Sequence, residues 1–254
     1  RLREARRDKM GLFSKLFHRK HRAEHPLCSV IVAAAGSSSR MGGENKLMQP
    51  LNGIPVLAHT LMALNASELA DEIVVAAREE DLLAFGDLCR IYGITKPAKI
   101  VRGGDTRLES VYLASLECRA DAAFLAVHDG ARPLALPELI DRTIALAHRT
   151  NAAAPAVPVK DTIKIVRDGR VESTPDREGL RAVQTPQVFD AALFRAALES
   201  ARTAGEAITD DCSAVERIGK AIYLTDGSYE NIKITTPEDL LLAAGILQQR
   251  EVQP

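Results

Sequence analysis

Three short clusters hold the residues able to do chemistry. The first is Gly36-Ser-Ser-Ser39, followed by Arg40, Gly42-Gly43 and Lys46, directly behind an apolar run from Cys28 to Ala35. The second is Gly103-Gly104 with Arg107, and the third runs from His128 and Asp129 to Arg132. Small residues let backbone N–H groups approach an anion closely and form a concavity for it. Two cations within seven residues, Arg40 and Lys46, suit a polyphosphate. Two familiar glycine loops do not fit. Gly36 and Gly42 are too far apart for a P-loop, and Lys46 is followed by Leu47 where that loop needs Ser or Thr. Ser38 stands where the dinucleotide fingerprint needs its second glycine.

What remains is a strand, a small-residue loop, an Arg and a Lys. The pattern Ala34-Ala35-Gly36-x-x-x-Arg40-Met41 resembles the nucleotidyltransferases that activate sugars and polyols from a nucleoside triphosphate. Attack on an α-phosphate asks little covalent chemistry of the protein. It needs the nucleophile in line and the developing charge stabilised. Arg40 and Lys46 can hold the triphosphate and offset charge on departing pyrophosphate; losing one such donor typically costs ~3–4 kcal/mol in barrier. Asp129, at a strand tip, can help hold Mg²⁺ bridging phosphate oxygens, or can serve as a turn residue. A phosphate acceptor is already anionic and needs no general base, so His128 reads as structural.

These clusters need a scaffold that brings them together. Apolar, β-branched runs at Cys28–Ala35, Asp71–Ala77, Ala98–Arg102, Ala122–Val127 and Ala152–Val157 read as buried strands. Helices are expected over Pro55–Ala66, Glu79–Tyr92, Leu108–Leu116 and Pro137–Arg149, and later over Ala191–Thr203, Asp210–Ile218 and Pro237–Gln248. A further strand is expected over Ala221–Leu224. Alternating strands and helices with short connections predict an α/β fold, a Rossmann-like, mainly parallel sheet with helices on both faces. Ligands of such sheets bind outside the carboxyl ends of the strands, where all three clusters fall. The rhythm fails between Pro158 and Pro186. There Val159–Val166 alternates with period two, Asp168-Gly169 signals a hairpin, and Arg170–Thr174 returns. A two-stranded ribbon is marginal alone, so it packs on its own domain or, as a β-ribbon arm for dimerisation, on a second subunit.

The chain has 254 residues, enough for one full core. Residues 1–25 carry nine Lys/Arg against three Asp/Glu, and the remainder 24 against 31. The basic stretch 1–26 is therefore a separate object from the domain at 27–254. Its Met10–Phe17 segment reads as a small amphipathic helix for an anionic surface, as a disordered extension, or as preceded by the true start at Met10. It lacks the apolar segment of a signal peptide, and Lys15 breaks the myristoylation pattern. No apolar run approaches ~18 residues, so no stable membrane association is expected. With no Trp and few aromatics, stacking on single-stranded nucleic acid is not expected either. Cys28, Cys89, Cys118 and Cys212 show no metal-ligand spacing and suggest reduced thiols of a cytoplasmic protein.

The full set of motifs narrows the reading. His128-Asp-Gly-Ala-Arg-Pro133 joined to Gly103-Gly104-x-x-Arg107-x-x-Ser110-Val111 resembles the 2-C-methyl-D-erythritol 4-phosphate cytidylyltransferases of non-mevalonate isoprenoid synthesis. So do Val157-Pro-Val-Lys-Asp-Thr162, Thr185-Pro-Gln187, Ile208-Thr-Asp-Asp211 and Asn231-Ile-Lys-Ile-Thr235, in the same order from about Cys28 to Gln248. The resemblance implies transfer of CMP from CTP to 2-C-methyl-D-erythritol 4-phosphate in a homodimer with Mg²⁺. It implies that Arg40 and Lys46 are catalytic and that Ala34, Ala35, Gly36, Gly104, Arg107, Ser110, Asp129 and Arg132 bind the nucleotide. Gly104 and Ser110 would face the cytosine, with Asp129 by the ribose and the metal. Thr162, Arg177, Thr185 and Lys233 would bind the acceptor, Thr162 and Arg177 reaching a neighbouring subunit's site. Taken as residues alone, Thr162 is a strand position and Arg177 a charged loop. Lys233 between Ile232 and Ile234 faces either solvent or the site. Ser38 replaces a glycine that some relatives have. Two other readings stand beside this one: a ribitol 5-phosphate cytidylyltransferase, and a non-catalytic nucleotide-binding protein tethered by the basic arm.

Overall fold

The computed structural model describes residues 25–36, 45–205 and 208–252. The basic stretch and Arg40, together with most of the first small-residue loop, lie outside the described residues. The parallel heart of the sheet is β1 (Cys28–Ala33), β4 (Glu72–Ala77), β5 (Ala98–Arg102) and β6 (Phe124–Asp129). β1 lies between β4 and β6, with β5 outside β4. β1, β4 and β6 are buried along nearly their whole length, which is why their sequences are apolar runs, whereas β5 is a partly exposed edge strand. Val30 and Val32 pack into one layer, with α1 (Val56–Ala66), α2 (Leu82–Ile91), α4 (Pro137–Thr150) and α7 (Pro237–Val252). Ile31 packs into the other, with α3 (Arg107–Glu117), α5 (Ala191–Ala204) and α6 (Asp211–Arg217). Two two-residue strands, β2 (Pro50–Leu51) and β3 (Ile54–Pro55), pair just before α1.

The second half departs from the parallel expectation. β7 (Ala152–Pro158) is separated from β6 by an antiparallel strand, β11 (Gln187–Asp190). β10 (Arg181–Val183) continues along the same edge of β7, also antiparallel, and β12 (Tyr223–Asp226) runs parallel on its far edge. Between β10 and β11 the chain bends through Gln184–Pro186, with a cis Thr185–Pro186 peptide. The predicted arm therefore narrows, because β10 belongs to the main sheet. The ribbon itself is β8 (Ile165–Arg167) and β9 (Arg170–Ser173), joined by Asp168 and Gly169 at φ 50° and 75°. Val159–Lys164 is not strand: it is nearly all exposed and has no strand partner to satisfy its backbone.

Three smaller differences concern ends. The helix expected over Glu79–Tyr92 is a 3₁₀ turn, Glu79–Asp81, followed by α2. The strand expected over Ala122–Val127 is shifted, so His128 and Asp129 are its last residues, not the loop after it. β12 likewise lies two residues beyond the Ala221–Leu224 expected for it.

Candidate active site

β1 leads outward to β4 and β5, and the chain then returns to place β6 on the other side of β1. The strand order thus reverses between β1 and β6, and a crevice forms at their carboxyl ends. There the Gly130 N–H donates to Ala33 O at 3.1 Å, tying the two strand tips together. A cavity of ≈ 350 Å³ opens above them. Among the described residues, Ala33 to Gly36 line it from β1, Lys46 and Leu47 from the loop beyond, and Gly104 to Arg107 with Ser110 from the β5–α3 turn. Asp129, Ala131 and Lys233 close it. The three clusters converge, and Lys233 faces the site.

Asp129 is the electrostatic centre. It is 4% exposed, and both its oxygens are engaged. Oδ1 accepts from Arg107 Nη1 at 2.8 Å, while Oδ2 meets Arg132 Nε and Lys233 Nζ at 3.1 Å each. Burial alone would raise its pKa. Arg107, Lys233 and Arg132 outweigh that and hold it well below the usual carboxylate range. Arg107 also reaches Asp211, its Nη2 donating to Oδ2 at 2.6 Å. Burial works against the guanidinium's charge, but Asp211 and Asp129 raise its pKa overall. Asp211 is fully buried, and burial raises its pKa despite Arg107.

The β5–α3 turn is held by bonds between its backbone and the side chains of the first turn of α3. Thr106 caps α3 by accepting the Glu109 N–H. Ser110 Oγ accepts from Gly104 N–H at 3.1 Å and donates to Thr106 O at 2.8 Å. A Cβ on Gly103 would stand 2.7 Å from Ala35 Cβ, so the two glycine-rich loops touch. Glycine is required there by close approach.

Not every predicted residue reaches the cavity. Arg132 stands behind Asp129 and donates through Nη1 to Asn231 O at 2.6 Å. Thr185 is 3% exposed, and its hydroxyl accepts the Asp129 N–H and meets His128 Nδ1, both at 3.1 Å. Thr162 and Arg177 lie exposed on the 159–180 segment, where Arg177 donates to Lys160 O. His128 is fully buried, and burial pushes its pKa down to about 4, so it is neutral at physiological pH. Asp211 has no role in the sequence reading, although its motif is among those that carry the resemblance. The signal was a second aspartate beside a capping one: Asp210 caps α6, leaving Asp211 free for another partner.

The decisive observation is the extent of the match. A family model described as 2-C-methyl-D-erythritol 4-phosphate cytidylyltransferase matches residues 28–249. The chain belongs to this family. A family relative from Bacillus cytotoxicus, carrying that name, is 44% identical over 220 residues, covering 86% of this chain and 97% of its own. A crystal structure of 4-diphosphocytidyl-2C-methyl-D-erythritol synthase from Anaerococcus prevotii superposes with a TM-score of 0.79. It is 32% identical and covers 87% of this chain and 96% of its own. The Thermus thermophilus cytidylyltransferase superposes at 0.71 with 31% identity, over 87% and 99% of the two chains. The antiparallel β11 and the residues that line the crevice lie within the matched span.

Proposed function

We propose that this enzyme transfers CMP from CTP to the phosphate of 2-C-methyl-D-erythritol 4-phosphate, releasing pyrophosphate, in non-mevalonate isoprenoid synthesis. The observation that carries this is the cavity itself, which joins a small-residue loop, Lys46, Asp129 and Lys233 at one strand-order reversal. The triphosphate lies along Gly36 and Lys46, with Arg40 as the second cation. Lys46 stabilises charge as the α–β phosphoanhydride breaks and the acceptor's phosphate oxygen bonds to the α-phosphorus. The turn from Gly104 to Thr106, with Ser110 behind it, forms the base pocket.

Mg²⁺ fits Asp129. Among the described residues no cluster of three or more His, Cys, Asp or Glu is arranged for a metal. A single carboxylate suits Mg²⁺, which takes its remaining ligands from phosphates and water. The ion supplies charge neutralisation across the phosphates. Arg107 and Arg132 keep the Asp129 carboxylate ionised and oriented toward the cavity. Lys233 offers its ammonium to the acceptor's phosphate.

The active form is a homodimer. Thr162 and Arg177 lie outside this chain's cavity, on the segment bearing the ribbon. The ribbon exposes Ile163, Ile165, Val166 and Val171 at 40–61%. A second subunit that covers these side chains receives Thr162 and Arg177 at its own acceptor site. Four free thiols fit a cytoplasmic setting, and no described helix is long and apolar enough to cross a membrane.

Incubation with CTP, Mg²⁺ and either methylerythritol phosphate or ribitol 5-phosphate tests the assignment. Pyrophosphate release should follow the branched acceptor. A strong preference for ribitol phosphate would overturn it.

A further inference from the structure

Lys46 occupies a turn, and the residue before it is tied on both sides. Asn45 Nδ2 donates to Asp81 Oδ1 at 2.8 Å, and Asn45 Oδ1 accepts the Leu47 N–H at 3.1 Å. Asn45 O also accepts the Met48 N–H at 3.0 Å. The Asn45 amide therefore spans Lys46, joining a distant carboxylate to the backbone just past the lysine. Leu47 is in turn fixed, buried in the core and accepting the Leu57 N–H at 2.9 Å.

Asp81 comes from the far side of β1, at the end of the 3₁₀ turn after β4. It holds the N-cap position of α2, where an aspartate ordinarily accepts a backbone N–H of the first turn. Here its side chain makes no cap bond. One oxygen is given to Asn45 and the other accepts Arg78 Nε at 2.8 Å. Asp81 is 8% exposed, so this link is shielded from water. A buried carboxylate at a cap position that leaves the helix uncapped is committed to something else. What it reaches is the turn that presents Lys46 to the cavity.

We propose that Asp81 is a positioning residue for Lys46, acting through Asn45. This rests on the reading of Lys46 as the cation that stabilises the transition state. The link sets where the lysine stem leaves the backbone. A displacement of about 1 Å at a reacting group can cost on the order of 100-fold in rate. The role belongs to turnover, not to acceptor affinity, because Asp81 and Asn45 hold the Lys46 turn and touch neither Asp129 nor Lys233.

A double-mutant cycle tests it, with kcat, KM for the acceptor and thermal midpoint measured for each protein. Asp81→Ala and Asn45→Ala should each lower kcat about ten-fold or more with acceptor KM unchanged. Asn45→Ala does not touch Arg78, so agreement between the two assigns the effect to the Asn45 link. The double variant should be no slower than the slower single variant. In a Lys46→Ala background, Asp81→Ala should cost nothing further. Wild-type kcat in a folded Asp81→Ala protein would overturn the proposal, as would losses that multiply with Lys46→Ala. If Asp81→Ala does not fold, Asn45→Ala with normal kcat overturns it equally. Near-normal turnover by Lys46→Ala would overturn the reading of Lys46 and this proposal together. An inactive Lys46→Ala beside a fully active Asp81→Ala overturns the positioning role alone.

Discussion

Lys233 Nζ stands 3.1 Å from the Asp129 carboxylate, and that oxygen is shared with Arg132. The two cations are held differently. Arg132 is nearly enclosed, its side chain 11% exposed, whereas Lys233 is 38% exposed at the cavity wall. One carboxylate thus anchors an enclosed cation and presents an exposed one. Removing the carboxylate and removing the lysine should have opposite profiles. Asp129→Asn leaves Arg132 and Lys233 without their carboxylate, Arg107 keeping Asp211, which should destabilise the fold by about 3–5 kcal/mol in urea titration. It should also raise the Mg²⁺ concentration needed for half-maximal rate. Lys233→Ala breaks a half-exposed pair, so its stability should change by less than about 1 kcal/mol. Its loss should appear as a raised KM for the acceptor. Equal destabilisation by both variants would contradict this division.

Lys46→Ala should cut kcat at least ~100-fold while the circular dichroism spectrum and melting midpoint stay near wild type. Lys46 is partly exposed at the cavity wall, so truncation opens no core. Turnover within a few-fold of wild type would remove it from the chemistry.

Gly103→Ala should weaken CTP binding. The new Cβ would lie 2.7 Å from Ala35 Cβ and 2.9 Å from Ser110 Oγ, so the loop behind β1 or the α3 serine must move. Overpacking of this kind typically costs ~1–3 kcal/mol. A loss at the base pocket within that range raises KM for CTP by about five- to 150-fold. Gly86→Ala is the control: it lies in α2 with open space around its Cβ and should leave KM for CTP unaltered. Steady-state kinetics on the pair separate close approach from a general effect of alanine.

The parallel half of the fold is legible because β1, β4 and β6 are buried on both faces, while β5, a partly exposed edge strand, keeps the apolar pair Ile100-Val101. Ala98–Arg102 is read to the residue, and Cys28–Ala33 is off only where Ala34 and Ala35 leave the sheet. β11 is not legible. It is four residues long and begins and ends with polar side chains. Gln187 is nevertheless 2% exposed, because its amide donates to Asp210 and accepts the Cys212 N–H. Those partners are distant in sequence, and no period reveals them. The site divides the same way. Lys46, Gly104, Arg107 and Asp129 were legible from residue type and strand-end position. Ser110 came only through the family resemblance, and the alternation of Lys233 with two isoleucines left solvent and site both open until the cavity decided it. Asp211 was hidden because its partner, Arg107, is 104 residues away. Asp81 was hidden because it falls within the helix expected over Glu79–Tyr92 and its partner Asn45 is 36 residues away.

Acid should destabilise the protein in a defined window through His128. Burial lowers its pKa from 6.5 to about 4, so between those values the unfolded chain binds a proton that the folded chain does not. Stability therefore rises with pH across this window: the contribution is full above about 6.5 and is lost as pH falls toward 4. A shift of that size is worth about 3 kcal/mol. His148 is shifted the same way by burial, so the informative quantity is a difference between proteins. Wild type minus His128→Gln, measured by urea unfolding from pH 7 to pH 4, should show the slope. Parallel curves would mean that His128 is protonated in the folded state.

Excising the ribbon tip should separate dimerisation from folding. β8 and β9 pair only with each other, and the main sheet closes without them through β7 and β10. Replacing residues 163–174 by a short Gly-Ser link should leave the thermal midpoint within a few degrees of wild type. Sedimentation should then show a monomer, with CTP still bound and turnover lost, because Thr162 and Arg177 no longer reach a neighbour. Val166→Lys with Val171→Lys makes the same test without shortening the chain. Both side chains are more than half exposed in the single chain, so charging them costs the isolated fold little. If the ribbon packs on a second subunit, the same charges meet an apolar surface, and the dimer should weaken strongly at low protein concentration. A dimer that survives both changes, or a monomer with full activity, would refute the shared acceptor site.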